Sequence, residues 1–252
     1  MKTTLYLVIS LLLPIARLTH AQSAQPGTKS RPTLEQRSVG SFDRLTVRNA
    51  IGVLITPGNA AQIELESDAD QLQQVVTRMN GTELIVEVPE GKLLYNTRTN
   101  AKGKTTSNSK PISVTLHVSA LKAIHLETAC GLTIDTPVTT EELTVVLNSA
   151  CQLTTALSVR TLKLSLDAAS GATLKGSVAD QADLRISGAS HLVGSELTIK
   201  QATIDLNGSS GANIRVSGTL TATADGVSEL RYSGDPTVKS AKATGLSSIE
   251  RN

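Results

Sequence analysis

From residue 121 to the C-terminus, apolar and polar positions alternate in short runs, as in Leu162-Lys-Leu-Ser-Leu166 and Ala202-Thr-Ile-Asp-Leu206. A period of two marks strands rather than helices. The runs also recur as whole units. Seven segments align: L-E-T-A-C-G-L from Leu126, L-N-S-A-C-Q-L from Leu147, L-D-A-A-S-G-A from Leu166, I-S-G-A-S-H-L from Ile186, L-N-G-S-S-G-A from Leu206, A-D-G-V-S-E-L from Ala224 and A-T-G-L-S-S-I from Ala243. Their fifth positions are Cys130, Cys151, Ser170, Ser190, Ser210, Ser228 and Ser247, 18 to 21 residues apart. A fixed period of that size predicts a solenoid.

If each repeat is one coil, equivalent residues stack about 4.8 Å apart on parallel, in-register strands. The predicted inward columns are Ile124, Val145, Leu164, Leu184, Ile204, Ala222, Ala241 and Leu126, Leu147, Leu166, Ile186, Leu206, Ala224, Ala243, a core that narrows toward the C-terminus. On the outer side, Lys163 falls beside Asp183 and Arg185 beside Asp205, the pairing that cross-strand neighbours favour. The expected fold is all-β, a right-handed parallel β-helix of about seven C-terminal coils behind a more irregular N-terminal β region.

Residues 1–21 read as a secretory signal peptide: Lys2, an apolar run from Leu5 to Leu13, and Thr19-His20-Ala21 as a cleavage site. Pro14 and Arg17 cut that run below the ~20 residues a membrane span needs. Export to the periplasm, cell surface or medium is therefore expected. Residues 22–38 read as a flexible leader rich in Gln, Ser, Pro and Thr. Residues 39–120 form the N-terminal β region, and 121–252 the repeat array continuous with it. In the former, Ser41–Val47, Ile51–Ile55, Gln62–Glu66 and Thr82–Val88 alternate as strands, and Asp68 or Asp70 caps a short helix running through Val75 and Val76. Residues 96–110 form a polar loop with Arg98, Lys102, Lys104 and Lys110 and no acid. It reads as solvated surface, or as a basic finger for an anionic polysaccharide or lipid head group.

Together these residues carry a resemblance. F-D-R-L-T-V from Phe42, A-I-G-V-L-I-T-P-G from Ala50, Gly81-Thr-Glu-Leu-Ile-Val86, the S-G-A-S-x-L type motif at Ser187–Ser190, and the endings Tyr232-Ser-Gly-Asp-Pro236 and Gly245-Leu-Ser-Ser-Ile249 resemble the family called putative auto-transporter adhesin, head GIN domain. The resemblance covers nearly all of the chain after the leader. It implies a right-handed β-helical, extracytoplasmic, adhesin-like protein and carries no catalytic residues. Cys130 and Cys151 depart from its Ser column, and neutral residues stand where its motif often ends in Asp, so no metal or acid site is implied there.

Removing Lys2 and Arg17 with the signal leaves 22 basic against 22 acidic residues. With one Phe, three Tyr and no Trp, the chain has neither the basic footprint nor the stacking surfaces of a nucleic-acid binder. Glu127 and Asp167 stand two coils apart and Asp167 and Asp225 three, spacings of ~9.6 and ~14 Å that suit turn capping better than a shared glycosidic bond. His191 follows Ser190 and so points to the opposite face; His117 and His125 stand alone. At the corner position Thr128, Ser149, Ala168, Gly188, Gly208, Gly226 and Gly245, three residues carry a Cβ, implying that positive φ is not obligatory. No metal or cofactor motif is present, and none is expected. The serines read as an inward structural ladder. Cys130 and Cys151, in one column, come close enough for a disulfide, but parallel side-chain directions oppose the bridge, and the reading favours stacked free thiols. The expected function is a non-catalytic, adhesin-like scaffold for an extracellular or envelope ligand, glycan or protein. A structural envelope role and a polysaccharide-active enzyme are the alternatives.

Overall fold

The computed structural model describes residues 32–56, 62–91, 97–99, 105–107, 111–118 and 120–252, with 97–99 and 105–107 described by backbone alone. The segment read as a signal peptide and the leader up to residue 31 lie outside them. Alternation produces strands β1 (Thr33–Ser38), β2 (Arg44–Arg48), β3 (Ile51–Thr56) and β4 (Gln62–Ser67), the single turn α1 (Ala69–Leu72), then β5 (Val76–Asn80), β6 (Glu83–Glu87), β7 (Thr97–Thr99), β8 (Thr105–Ser107), β9 (Ile112–His117) and β10 (Ala123–Glu127). Next come the long strands β11 (Gly131–Asn148), β12 (Gln152–Asp167), β13 (Gly171–Ile186), β14 (His191–Leu206) and β15 (Gly211–Ala224), and then β16 (Glu229–Ser233), β17 (Thr237–Ala243) and β18 (Ser248–Arg251).

These strands wind a β-solenoid of about six turns. The count expected from the sequence is about seven. Register breaks, such as that between Ile134 and Val138, divide the long strands into successive straight runs. Face one is formed by β6, β2, β10, the last runs of β11 to β15, and β17. Face two is formed by β9, β3, the first runs of β11 to β15, then β16 and β18. The predicted column is present residue for residue: Ile124 pairs with Val145, Val145 with Leu164, Leu164 with Leu184, Leu184 with Ile204, Ile204 with Ala222 and Ala222 with Ala241. All but Ala241 are buried. The column shrinks to Ala241 and Ala243, both exposed on the last coil, where Val238 and Leu246 are exposed as well.

The N-terminal region is wound out of chain order. On face two β3 lies between β9 and β11, and on face one β2 lies between β6 and β10. The coil at 44–56 is therefore covered by the later coil at 83–117, and the chain crosses it to begin the array. Antiparallel strands cover this end: β4 on β9, β1 on β4 and β5 on β6. Such a cap ends a row of backbone groups that would otherwise template another chain. The leader accordingly ends earlier than residue 38. Arg37 fixes β1 by donating to the Val75 carbonyl at 2.7 Å and the Leu72 carbonyl at 3.1 Å. The short helix begins after Asp68 but stops at Leu72, because Val76 already pairs with Glu87 in β5.

The corner between faces one and two corrects another expectation. Positive φ is adopted there by Thr128 (61°), Ala129 (59°), Ser149 (61°), Ala150 (65°), Ala168 (50°) and Ala169 (72°), although all carry a Cβ. The left-handed cost of ~1–2 kcal/mol per residue is offset by coil-to-coil bonds, Ala129 N–H to Ser149 O at 2.8 Å and Ala150 N–H to Ala168 O at 3.1 Å. Later corners turn on glycine instead. A Cβ on Gly226 would lie 2.5 Å from the Gly208 carbonyl oxygen, so there the residue is obligatory. On the surface, the register brings Lys163 beside Asp183 and Arg185 beside Asp205 as expected. The Lys163 ammonium nevertheless turns to Glu142, at 2.6 Å.

Candidate binding face

Just inside the corner runs the column of Cys130, Cys151, Ser170, Ser190, Ser210, Ser228 and Ser247. Its side chains point inward, and Ser170, Ser190, Ser210 and Ser228 are buried. Each member joins two coils. The Ser170 amide donates to Ser190 Oγ at 3.1 Å and the Ser228 amide to Ser247 Oγ at 3.0 Å, while Ser170 Oγ donates to the Asp167 carbonyl at 2.7 Å. The thiols repeat the pattern: the Cys130 amide donates to Cys151 Sγ at 3.4 Å, and Cys151 Sγ donates to the Asn148 carbonyl at 3.0 Å. A side-chain hydrogen bond between the two thiols draws Cys151 down to about 7 against the upward push of burial. Cys130 is pushed up by the same bond and by burial. The column is thus occupied with holding the corner. Ser190→Ala, which strands the buried Ser170 amide, is expected to cost about 1–3 kcal/mol in chemical denaturation, whereas Ser190→Cys should lose less than half of that.

The outer side of face two differs from the rest of the surface. One outward row is Ser113, Gly52, Gly131, Gln152, Gly171, His191, Gly211, and the next is Thr115, Leu54, Thr133, Thr154, Thr173, Val193, Asn213. Neither row holds an acid, lysine or arginine, and across seven strands they extend roughly 29 Å. Glu64 and Glu66 bound them at the capped end and Glu229 and Arg231 at the other. The adjoining corner adds the exposed, small Ala129, Ala150, Ala169, Ala189 and Ser209. Toward the cap the strip dips into a shallow depression of about 540 Å³ lined by Gly52, Leu54, Ser113, Gly131 and Thr133 among others, with Glu66 as the one charged residue at its edge. The dip exists because side chains are missing. Gly131 in the dip, and Gly211 at the far end of the strip, have ordinary φ and open space where a Cβ would stand, so packing does not demand glycine, which strands otherwise disfavour.

The charges lie elsewhere. Arg160 pairs with Asp180 at 2.5 Å and with Glu141 at 3.8 Å, and Lys200 pairs with Asp180 at 3.7 Å, forming a ladder of alternating sign. Near the cap Arg48 bridges Glu127 at 2.7 Å and Glu87 at 3.2 Å. A second depression, about 290 Å³ on face one, is lined by Thr144, Val146, Lys163, Ser165, Asp183 and Arg185, and its Lys163 is already paired.

The carboxylates considered for catalysis are tied into the corner. Asp167 Oδ1 accepts from Ser187 Oγ at 2.7 Å and Asp225 Oδ1 from Thr244 Oγ1 at 2.5 Å. The Thr244 hydroxyl, with the Gly226 amide, holds Asp225 below the usual carboxylate range, the opposite of what a general acid requires. Ser190 points inward, whereas the exposed His191 lies outside, its ring beside Gly171 and the Gln152 amide. Among the described residues no three His, Cys, Asp or Glu side chains cluster as metal ligands, and no helix is long and apolar enough to cross a membrane.

Of the basic-loop residues, Arg98 lies on β7, whose side chains are not described, and Lys102, Lys104 and Lys110 lie outside the described residues. Where the coil at 44–56 spends only Asn49 and Ala50 between Arg48 and Ile51, its neighbour carries everything from Val88 to Pro111 between the paired positions Glu87 and Ile112. Sequence reasoning missed the two-row strip itself. Its signal is the residue types one and three places after each ladder position, as in Cys130-Gly-Leu-Thr133 and Ser170-Gly-Ala-Thr173.

Known structures share this architecture. A putative adhesin from Bacteroides fragilis superposes with a TM-score of 0.74 at 16% identity, and a putative lipid binding protein from Parabacteroides distasonis with 0.67 at 14%; each comparison covers 88% of this chain and 97% of the other. A putative adhesin from Parabacteroides merdae superposes with 0.61 at 16% identity, covering 88% and 96%. No curated protein matches the sequence. The family model described as putative auto-transporter adhesin, head GIN domain matches residues 41–236, which include the strip and the corner ladder from Cys130 to Ser228, and the chain belongs to that family.

Proposed function

We propose that this protein is an exported, non-catalytic, adhesin-like scaffold whose contact surface is the uncharged strip of face two. The ligand is extended and uncharged along its contact, a neutral glycan chain or a neutral stretch of an envelope or extracellular protein. One observation carries the reading: the glycines that hollow the strip, Gly131 and Gly211, stand where a side chain would have room. Their absence of side chain serves the surface and not the packing. The family's adhesin description and the adhesin-like neighbours support the same class. A surface without charge also makes a physical demand, because salt screens ionic contacts and leaves apolar and neutral hydrogen-bonded ones largely untouched.

The test is an array of glycans and envelope or matrix proteins probed with the purified protein at low and high salt. Retention on uncharged, extended ligands, changing less than about twofold between 0.05 and 0.5 M salt, is the expected result. Retention on anionic ligands alone, lost in high salt, would move the contact to the basic loop. Turnover of any glycan would overturn the non-catalytic reading.

A further inference from the structure

We propose that Cys130 and Cys151 form a site for one soft, monovalent d10 cation of the silver(I) or copper(I) class, held in line between the two sulfurs. The ladder does not need sulfur. Serine performs the same inter-coil bonding in the coils that follow, at Ser170, Ser190, Ser210, Ser228 and Ser247. The two thiols occur on adjacent coils and nowhere else, and both are free.

Their spacing selects the chemistry. The register that pairs Gly131 with Gln152 sets Cys130 directly over Cys151, and in-register side chains leave their strands in similar directions. The two thiols also hydrogen-bond to each other, so the sulfurs stand no farther apart than about the strand spacing, ~4.8 Å. A disulfide requires ~2.05 Å and a χ3 near 90°, which this arrangement does not approach without moving the backbone. Two metal–sulfur bonds of ~2.3 Å laid end to end span ~4.6 Å. Thiolates favour soft ions, and the absence of a cluster of three or more ligand side chains among the described residues leaves a tetrahedral zinc ion without its set. The Glu127 carbonyl oxygen, 3.1 Å from Cys130 Sγ, and the Asn148 carbonyl oxygen, 3.0 Å from Cys151 Sγ, turn their negative ends toward the pair. Entry is short, since each cysteine directly follows an exposed corner residue, Ala129 or Ala150. On uptake two S–H bonds break, two sulfur–metal bonds form, the protons pass to solvent and no electron is transferred.

Silver(I), which is inert to redox cycling here, is the probe. Reduced protein is mixed anaerobically with silver nitrate, desalted, and its metal content measured by mass spectrometry. The expected result is one silver per chain, with a rise in melting temperature, and at least tenfold less silver in Cys130→Ser and in Cys151→Ser. Zinc(II) should not be retained. Serine is the ladder's own residue, so these variants should melt within a few degrees of the parent; the corresponding alanine variants give the same comparison by a second route. The proposal fails if the parent retains no silver, if either single variant retains as much as the parent, or if the protein as purified carries a Cys130–Cys151 disulfide.

Discussion

Gly131→Arg should abolish ligand binding while leaving the protein as stable as before, or slightly more so. Both halves follow from one position. Gly131 has an ordinary backbone and no atom within 4 Å of a built Cβ, so a side chain there meets no clash. Replacing glycine in a strand also reduces the freedom of the unfolded chain, a gain of about 0.4–1 kcal/mol where the native φ suits the new residue. The guanidinium, however, would rise from the floor of the depression between Gly52 and Gln152, bringing bulk and positive charge onto rows that hold no acid, lysine or arginine and are flanked there by the single carboxylate of Glu66. Affinity for the ligand found on the array should fall at least tenfold, about 1.4 kcal/mol or more. Ser158→Arg on another face is the control and should bind as the parent does. Equal binding by both variants, or a melting temperature lowered by many degrees in Gly131→Arg, would remove the strip from the account.

Leu164→Ala should be among the most damaging single truncations in the array. Leu164 is 2% exposed and lies between Val145 and Leu184 in a column with neighbours on both sides. The cavity cannot collapse, because in-register strands fix the spacing of the walls. The expected loss is about 2–5 kcal/mol in chemical denaturation, which for a chain of this size is a fall of roughly 4–20 °C in melting temperature. Ala241→Gly, in the same column on the exposed last coil, should cost far less. A loss under about 0.5 kcal/mol at Leu164 would mean that the column does not carry the fold's stability.

The array was legible because parallel, in-register stacking makes one coil's requirement every coil's requirement. Ile124 through Ala241 could be aligned from sequence alone, and the structure pairs them in that order. The capped end has no such redundancy. Nothing local in Arg44–Arg48 or Glu83–Glu87 says that the later strand lies outside the earlier one; that order is set by which edges remain to be covered. The corner misled for a related reason. Thr128 and Ser149 look unsuited to positive φ, yet the bonds to neighbouring coils hold them there. The strip escaped notice because a search for chemistry looks for acids, histidines and basic runs, whereas Gly131, Thr133, Gly171 and Thr173 define a surface by what they lack.

The central claim, that ligand lies along face two, is tested most directly by threonine-methyl spectra of the protein with and without the array's best ligand. Threonines stand on both faces and report independently. The account predicts that the methyls of Thr133, Thr154 and Thr173 shift on binding while those of Thr144, Thr203 and Thr223, on face one, do not. Shifts confined to Thr144, Thr203 and Thr223, with the strip silent, would contradict it.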